Sequence, residues 1–211
     1  MLINDGSGGF ASNYTTYLGV TFFDAALGDL DGDGDLDAFV ASLGDAGDQL
    51  FFNDGDGNFG PSVSLGNQAG VSGRSVALGD LDSDGDLDAF VTETFGPNQI
   101  LFNDGNGNFT ATTTDLGGAS SVQVALGDLD GDGDLDAFIA NVHDADQILY
   151  NDGSGNFASA VVGSSSTLSR DVYLGDLDGD GSVDAVDEHG LPNLNDSGLL
   201  PSIFVDPDIF V

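Results

Sequence analysis

Apolar residues in this chain come in short runs, and each run stops at a cluster of Asp, Gly or Asn. "VALGD" (residues 76 to 80) runs into one such cluster, "LDAFV" (87 to 91) leaves it, and "NQILF" (98 to 102) follows before an Asn-Asp-Gly step. Apolar runs of this length bounded by turn residues predict β-strands. Asn-Asp-Gly and Gly-Asn are hairpin signals, because Gly and Asn accept positive φ at low cost. After the hairpin a fourth strand is predicted to begin at Phe59, Phe109 or Phe157.

The pattern repeats. "ALGDLDGDGDLDAFV" starts at Ala26, "ALGDLDSDGDLDAFV" at Ala77, "ALGDLDGDGDLDAFI" at Ala125 and "YLGDLDGDGSVDAVD" at Tyr173. Their first aspartates, Asp29, Asp80, Asp128 and Asp176, are separated by 51, 48 and 48 residues. Four antiparallel strands at that period is the signature of a β-propeller blade. The expected fold is therefore all-β, a propeller of four-stranded blades. Units lie near 21–69, 70–118 and 119–167, with 168–190 joined to 1–20 to complete the repeat domain 1–190, and 191–211 forms a tail or linker. The chain begins with the third and fourth strands of a unit, "MLINDGSGGF", and its last Asp loop supplies a first and second. Pairing these two fragments would close a four-bladed ring and remove exposed strand edges. A piece of a larger propeller, or two chains sharing one ring, is the alternative.

Composition sharpens this reading. Thirty-seven acidic residues, 35 of them Asp, face two Arg and no Lys, for a net charge of -35 over 211 residues, with 33 Gly. Asp and Gly are poor helix formers and good turn residues. An apolar fraction of 40% with 15 Phe is enough for a core. The charge repels nucleic acid and anionic membranes and concentrates cations. No apolar run is long enough to insert in a membrane, the N-terminus lacks the regions of a signal peptide, and Cys is absent. Export would thus be specified elsewhere, or this is a piece of a longer chain.

Alternating Asp separated by Gly suits a hard cation. Ca²⁺ takes six to eight oxygens, and a loop offering them at positions 1, 3, 5, 7 and 9, with a Gly turn at 6, can wrap it. In the first unit Asp29, Asp31, Asp33 and Asp37 would give carboxylates and Asp35 its backbone carbonyl, with its side chain outward. The same positions are Asp80, Asp82, Asp84, Asp86 and Asp88 in the second unit, and Asp128, Asp130, Asp132, Asp134 and Asp136 in the third. In the fourth they are Asp176, Asp178, Asp180, Ser182 and Asp184. About four Ca²⁺ are expected; Mg²⁺ is disfavoured by its octahedral demand and slow dehydration. Four Ca²⁺ would take the charge only from -35 to -27, so the ions account for the loops and not for the whole surface. The Asn-Asp-Gly hairpins read as structural turns.

These loops resemble the FG-GAP or VCBS repeats, whose DxDxDGxxD segments bind calcium between the first two strands of a propeller blade, as in integrin α-subunit heads. The resemblance covers roughly residues 1 to 190 and implies an extracellular, calcium-stabilised scaffold for adhesion or for carbohydrate or protein binding. The fourth loop, with Ser182, Val183 and Asp187, also resembles a dockerin or EF-hand loop; no second such loop follows.

Arg74 and Arg170 each lie six residues before the first Asp of a loop, where Phe23 and Val122 stand in the other units. They offer either a site for an acidic sugar or carboxylate, or structural pairing with nearby Asp. Catalysis has little to use: there is no Cys or Lys, His143 and His189 read as incidental, and a calcium-bound carboxylate stays ionised and makes a poor general acid. The expected function is a non-enzymatic extracellular binding scaffold, with "VTETFGPN" (91 to 98) and "ANVHDAD" (140 to 146) as exposed loops. The alternative is a structural subunit that self-associates through the apolar "SIFV" and "DIFV" of the tail.

Overall fold

In the computed structural model each repeat folds into an antiparallel sheet whose first two strands are joined by an Asp loop. The structure describes residues 2–4, 7, 9–12, 21–43, 47–65, 73–93, 96–112, 116–117, 120–162 and 169–187. The tail, His189 and part of "VTETFGPN" lie outside them. Three sheets have four strands each: β3 to β6 (Thr21–Gly28, Asp37–Leu43, Gln49–Phe51, Val63–Ser64), β7 to β10 (Gly73–Gly79, Asp88–Glu93, Gln99–Asn103, Phe109–Ala111) and β11 to β14 (Ser121–Gly127, Asp136–Asn141, Asp146–Asn151, Phe157–Val162). Two-stranded sheets stand at either end, β1 with β2 (Leu2–Asn4, Phe10–Ser12) and β15 with β16 (Val172–Gly175, Asp184–Asp187). Among the described residues, no strand of one fragment pairs with a strand of the other.

Register repeats with the sequence. The Asp loop is closed by the pairs Gly28 with Asp37, Gly79 with Asp88, Gly127 with Asp136 and Gly175 with Asp184. Strands flank the fourth loop as they flank the others, whereas an EF-hand flanks its loop with helices. The first unit departs from expectation at its outer edge. Phe59 makes only an isolated bridge with Asn53, and β6 begins at Val63, because Pro61 offers no amide to the ladder.

The second strand of each complete sheet is buried on both faces, and Phe39, Phe90 and Phe138 at its centre are fully enclosed. The core lies between successive sheets. Leu30, Phe39 and Leu50 of the first pack on Val76, Ala89 and Val91 of the second, and the ring of Phe109 meets Phe39 edge-on at 5.7 Å. Phe157 meets Phe90 in the same way at 6.1 Å. Fully enclosing a Phe contributes roughly 1.5–3 kcal/mol, so these rings hold each blade to its neighbour.

One joint recurs three times. The glycine ending the first strand of a blade is covered by two side chains of the next: Gly28 by Leu78 and Leu87, Gly79 by Leu126 and Leu135, Gly127 by Leu174 and Val183. A Cβ on Gly28 or Gly79 would lie 2.6 Å from a leucine methyl. Glycine is therefore required there by close approach, not by φ.

Candidate metal centre

Each Asp loop is shaped by its own backbone amides. Asp29 accepts from Gly32 and Gly34 at 2.8 and 3.0 Å, and Asp33 accepts from Asp35 at 2.9 Å. Asp80, Asp128 and Asp176 accept in the same way from later amides of their loops. These side-chain to backbone bonds preset the turn of each loop. Gly32, Gly131 and Gly179 hold the fourth position at φ near 80°, and Ser83 occupies it in the second loop with φ 62°. Ser83 thus carries strain that its siblings avoid.

The ninth position does more than face the loop. Asp37, Asp88, Asp136 and Asp184 are buried, and one oxygen of each accepts the amide of the second loop residue, Leu30, Leu81, Leu129 or Leu177, at 2.8–3.0 Å. The other oxygen of Asp37, Asp88 and Asp136 accepts from Asn53, Asn103 and Asn151, at 2.8 Å in each case. These asparagines open the Asn-Asp-Gly hairpins. Asp184 has no such donor, and its Oδ1 is buried without a partner.

Carboxylate oxygens converge in all four loops to within 4.8 Å: Asp29, Asp31 and Asp33; Asp80, Asp82 and Asp88; Asp128, Asp130 and Asp136; Asp176, Asp178 and Asp184. The first group uses the fifth position and the others the ninth, so Asp37, Asp84, Asp132 and Asp180 are not members of these groups. Asp31 Oδ1 and Asp82 Oδ1 are buried and lack any hydrogen-bond partner. Burial and then the neighbouring carboxylates, Asp37 and Asp33 at Asp31 and Asp84 at Asp82, push both above the usual range. Burial likewise raises Asp88 to about 6, against the amides of Asn103 and Leu81. Hard oxygen donors, mutual repulsion and a partnerless buried oxygen together fit a divalent cation of the calcium type.

Asp35, Asp86 and Asp134 face the hairpin glycine of their own blade. A Cβ on Gly55, Gly105 or Gly153 would lie 2.4–2.5 Å from their carboxylates. This contact shows why the Asn-Asp-Gly step ends in glycine beyond its positive φ, and the repeat alone did not reveal it. Asp54, Asp104 and Asp152 of the hairpins are held below the ordinary range, first by the side-chain amides of Asn58, Asn108 and Asn156. Those bonds support the structural reading of the hairpins.

The two arginines separate. The Arg74 guanidinium lies over the ring of Phe23, 4.8 Å from its centroid, and Arg170 is exposed ahead of β15. Phe23 is the residue that holds Arg74's place in the first unit, so the stacking joins equivalent positions of neighbouring blades. His143 is exposed in the turn after β12.

A model of the FG-GAP-like repeat matches residues 29–91, 81–139 and 128–186, most of the chain. The chain belongs to the FG-GAP-like repeat family. Each matched segment begins in or beside one Asp loop and ends on the second strand of the next blade, so the family repeat spans the joint described above. No curated protein matches this FG-GAP-like chain. Among solved structures it is similar to a lectin of Agrocybe aegerita, described for specific recognition of non-reducing terminal N-acetylglucosamine. The identity is 24%, the TM-score 0.54, and the match covers 76% of this chain and 45% of the lectin. That likeness concerns the fold, and the match spans about half the lectin's length.

Proposed function

We propose that this protein is a calcium-organised β-propeller scaffold that binds carbohydrate or protein ligands outside the cell and performs no catalysis. In this reading β1–β2 and β15–β16 are the two halves of one blade, giving four blades per chain. The observation that carries it is the set of four convergent carboxylate groups, three of which hold a buried oxygen, on Asp31, Asp82 and Asp184, that nothing on the protein satisfies. Bound calcium would engage that oxygen and relieve the repulsion around Asp31 and Asp82. Exposed loop ends and a lectin of similar fold favour ligand binding as the use of the scaffold. The high negative charge suits a calcium-rich or saline exterior, where screening and ion binding offset self-repulsion.

Calorimetric titration with Ca²⁺ is expected to give about four sites. Extracellular calcium modules bind at roughly 0.1–1 mM. A hundredfold excess over Kd stabilises by about 2.7 kcal/mol per site, so calcium should raise the melting temperature by many degrees over chelator. No binding heat and an unchanged melt would overturn the reading. A panel of glycans with terminal N-acetylglucosamine, probed with calcium and with chelator, tests the ligand class.

A further inference from the structure

The leucine at the second position of a loop is held from two blades. Leu30 and Leu81 are fully buried, and each donates its amide to the ninth aspartate of its own loop, Leu30 to Asp37 and Leu81 to Asp88. Their carbonyls are served from the next blade. Asn103 Nδ2 of the second blade donates to the Leu30 carbonyl at 2.9 Å, and Asn151 Nδ2 of the third donates to the Leu81 carbonyl at 2.8 Å. Each of these carbonyls belongs to the peptide that leads into the third loop position, Asp31 or Asp82. Both aspartates are members of convergent carboxylate groups, and both carry a buried oxygen that finds no donor.

We propose that Asn103 and Asn151 are positioning residues for the cation loops of the blades before them, fixing the peptides that aim Asp31 and Asp82. Each of these two sites is then built by two blades, with the ligands on one and their support on the next. Three observations favour this role. The asparagines are nearly enclosed, at 5% and 4% exposure, so their donor bonds are shielded from water. The same Nδ2 also donates to a carbonyl of its own loop, Leu87 or Leu135, at 3.2 Å, so each side-chain amide bridges two loops. Their Oδ1 atoms are buried without a partner among the described residues, which leaves the two donor bonds to set the amide's orientation. A buried amide oxygen left unsatisfied costs stability, and the hairpin alone does not require it. At the first hairpin Asn53 turns Nδ2 to its own Leu36 carbonyl, and its Oδ1 accepts from Gly57 at 3.1 Å. Groups that orient metal ligands without touching the metal typically change its affinity by about ten- to a hundredfold when they are removed.

The proposal rests on the calcium reading above, and its test separates the two. Ca²⁺ is titrated into the whole chain and followed in amide proton–nitrogen correlation spectra. Gly34, Gly85 and Gly133 donate their amides to Asp29, Asp80 and Asp128, so each reports on one loop. Asn103→Ala is expected to weaken the binding seen at Gly34 by about tenfold and to leave that at Gly133 as in wild type. Asn151→Ala is expected to weaken the binding seen at Gly85 by about tenfold and to leave that at Gly34 as in wild type. Both substitutions orphan a buried carbonyl, so both lower the melting temperature in chelator, and a merely structural role would show that loss alone. Asn103→Leu removes the same donor while keeping the volume filled, and it should reproduce the shift at Gly34 where alanine loosens the blade. An affinity at Gly34 unchanged in both Asn103 variants, or a loss confined to the loop of the asparagine's own blade, would overturn the proposal. Glycines that titrate alike in wild type and variants sink the positioning role and leave the calcium reading standing, whereas glycines that do not respond in wild type sink both.

Discussion

Asp48 provides a test that stays clear of the Asp loops. It stands just ahead of β5, its Oδ1 accepts the Ser42 amide at 2.9 Å, and a Cβ on Gly73 of the next blade would come within 2.4 Å of that oxygen. Burial pushes its pKa from 3.8 to about 6, against the Ser42 amide. A carboxyl with a raised folded pKa favours the protonated fold: its contribution is full below about 3.8 and is lost as pH rises through about 6. At 1.36 kcal/mol per pH unit the rise corresponds to about 3 kcal/mol, reduced to roughly 1–2 because Asp48 keeps partial solvent contact. Asp48→Asn retains the acceptor, as Asn98 does at the same position of the second unit, where its Oδ1 accepts from Glu93 at 3.1 Å. Asn98 Nδ2 is buried without a partner, so an amide at position 48 incurs some cost of its own. That cost does not depend on pH. The prediction therefore concerns the difference: relative to wild type, Asp48→Asn gains roughly 0.5–1 kcal/mol on going from pH 5 to pH 8, about half of the full effect because the remainder falls between pH 3.8 and 5. Urea unfolding at both pH values, in saturating calcium, measures it through the midpoint at constant slope. A wild-type minus variant difference that is the same at both pH values would refute the assignment of a buried, protonatable carboxyl to this joint.

Three further outcomes follow from the same geometry. Ser83→Gly should stabilise by about 0.5–1 kcal/mol, since it relieves a left-handed serine at the cost of glycine entropy; thermal melts with calcium present check it. Gly105→Ala, where φ is +71° and a Cβ would meet Asp86 at 2.4 Å, should lower the melting temperature by several degrees, and replacing Asp86 by Ala in the same chain should recover part of the loss. Asp82→Asn should weaken calcium binding at one of the four sites while leaving the chelated protein near wild-type stability, whereas Asp136→Asn should lower stability even in chelator, by about 1–3 kcal/mol, because its two oxygens hold the amides of Leu129 and Asn151.

Much of this architecture was legible in the sequence because the blade is a repeat. The spacing of Asp29, Asp80, Asp128 and Asp176 fixed the sheets, and the alternation of Asp with Gly located the convergent carboxylates. Other features required the fold. Pro61 moved the first unit's outer strand to Val63, although Phe59 looked like its start. Asp35 was expected to point outward, and the bend of its loop sets it against Gly55, a residue of a different hairpin. The burial of Asp48 against Gly73 depends on which blade lies beside which. No periodicity along a single unit encodes that neighbour relation.

The ninth aspartate explains why a cation and the blade should act as one cooperative unit. In the second and third blades a single carboxylate belongs to the convergent group, caps the loop at its second residue, and accepts the amide at the head of the outer hairpin. That hairpin's asparagine in turn donates to the preceding blade, Asn103 to the carbonyl of Leu30 at 2.9 Å and Asn151 to that of Leu81 at 2.8 Å. A charge placed in one loop is thereby linked through one side chain and one amide to the backbone of the blade before it. Losing the cation would leave Asp88 or Asp136 repelled by its neighbours, and its easiest relief is protonation, the direction in which burial already drives both. Protonation weakens acceptance from Asn103 and Asn151, so acid and chelator should loosen the same joints. Chelation near pH 5 is then expected to lower the melting temperature by less than chelation at pH 8, where every loop carries its full repulsion. Equal chelator effects at the two pH values would break the link between loop charge and blade packing.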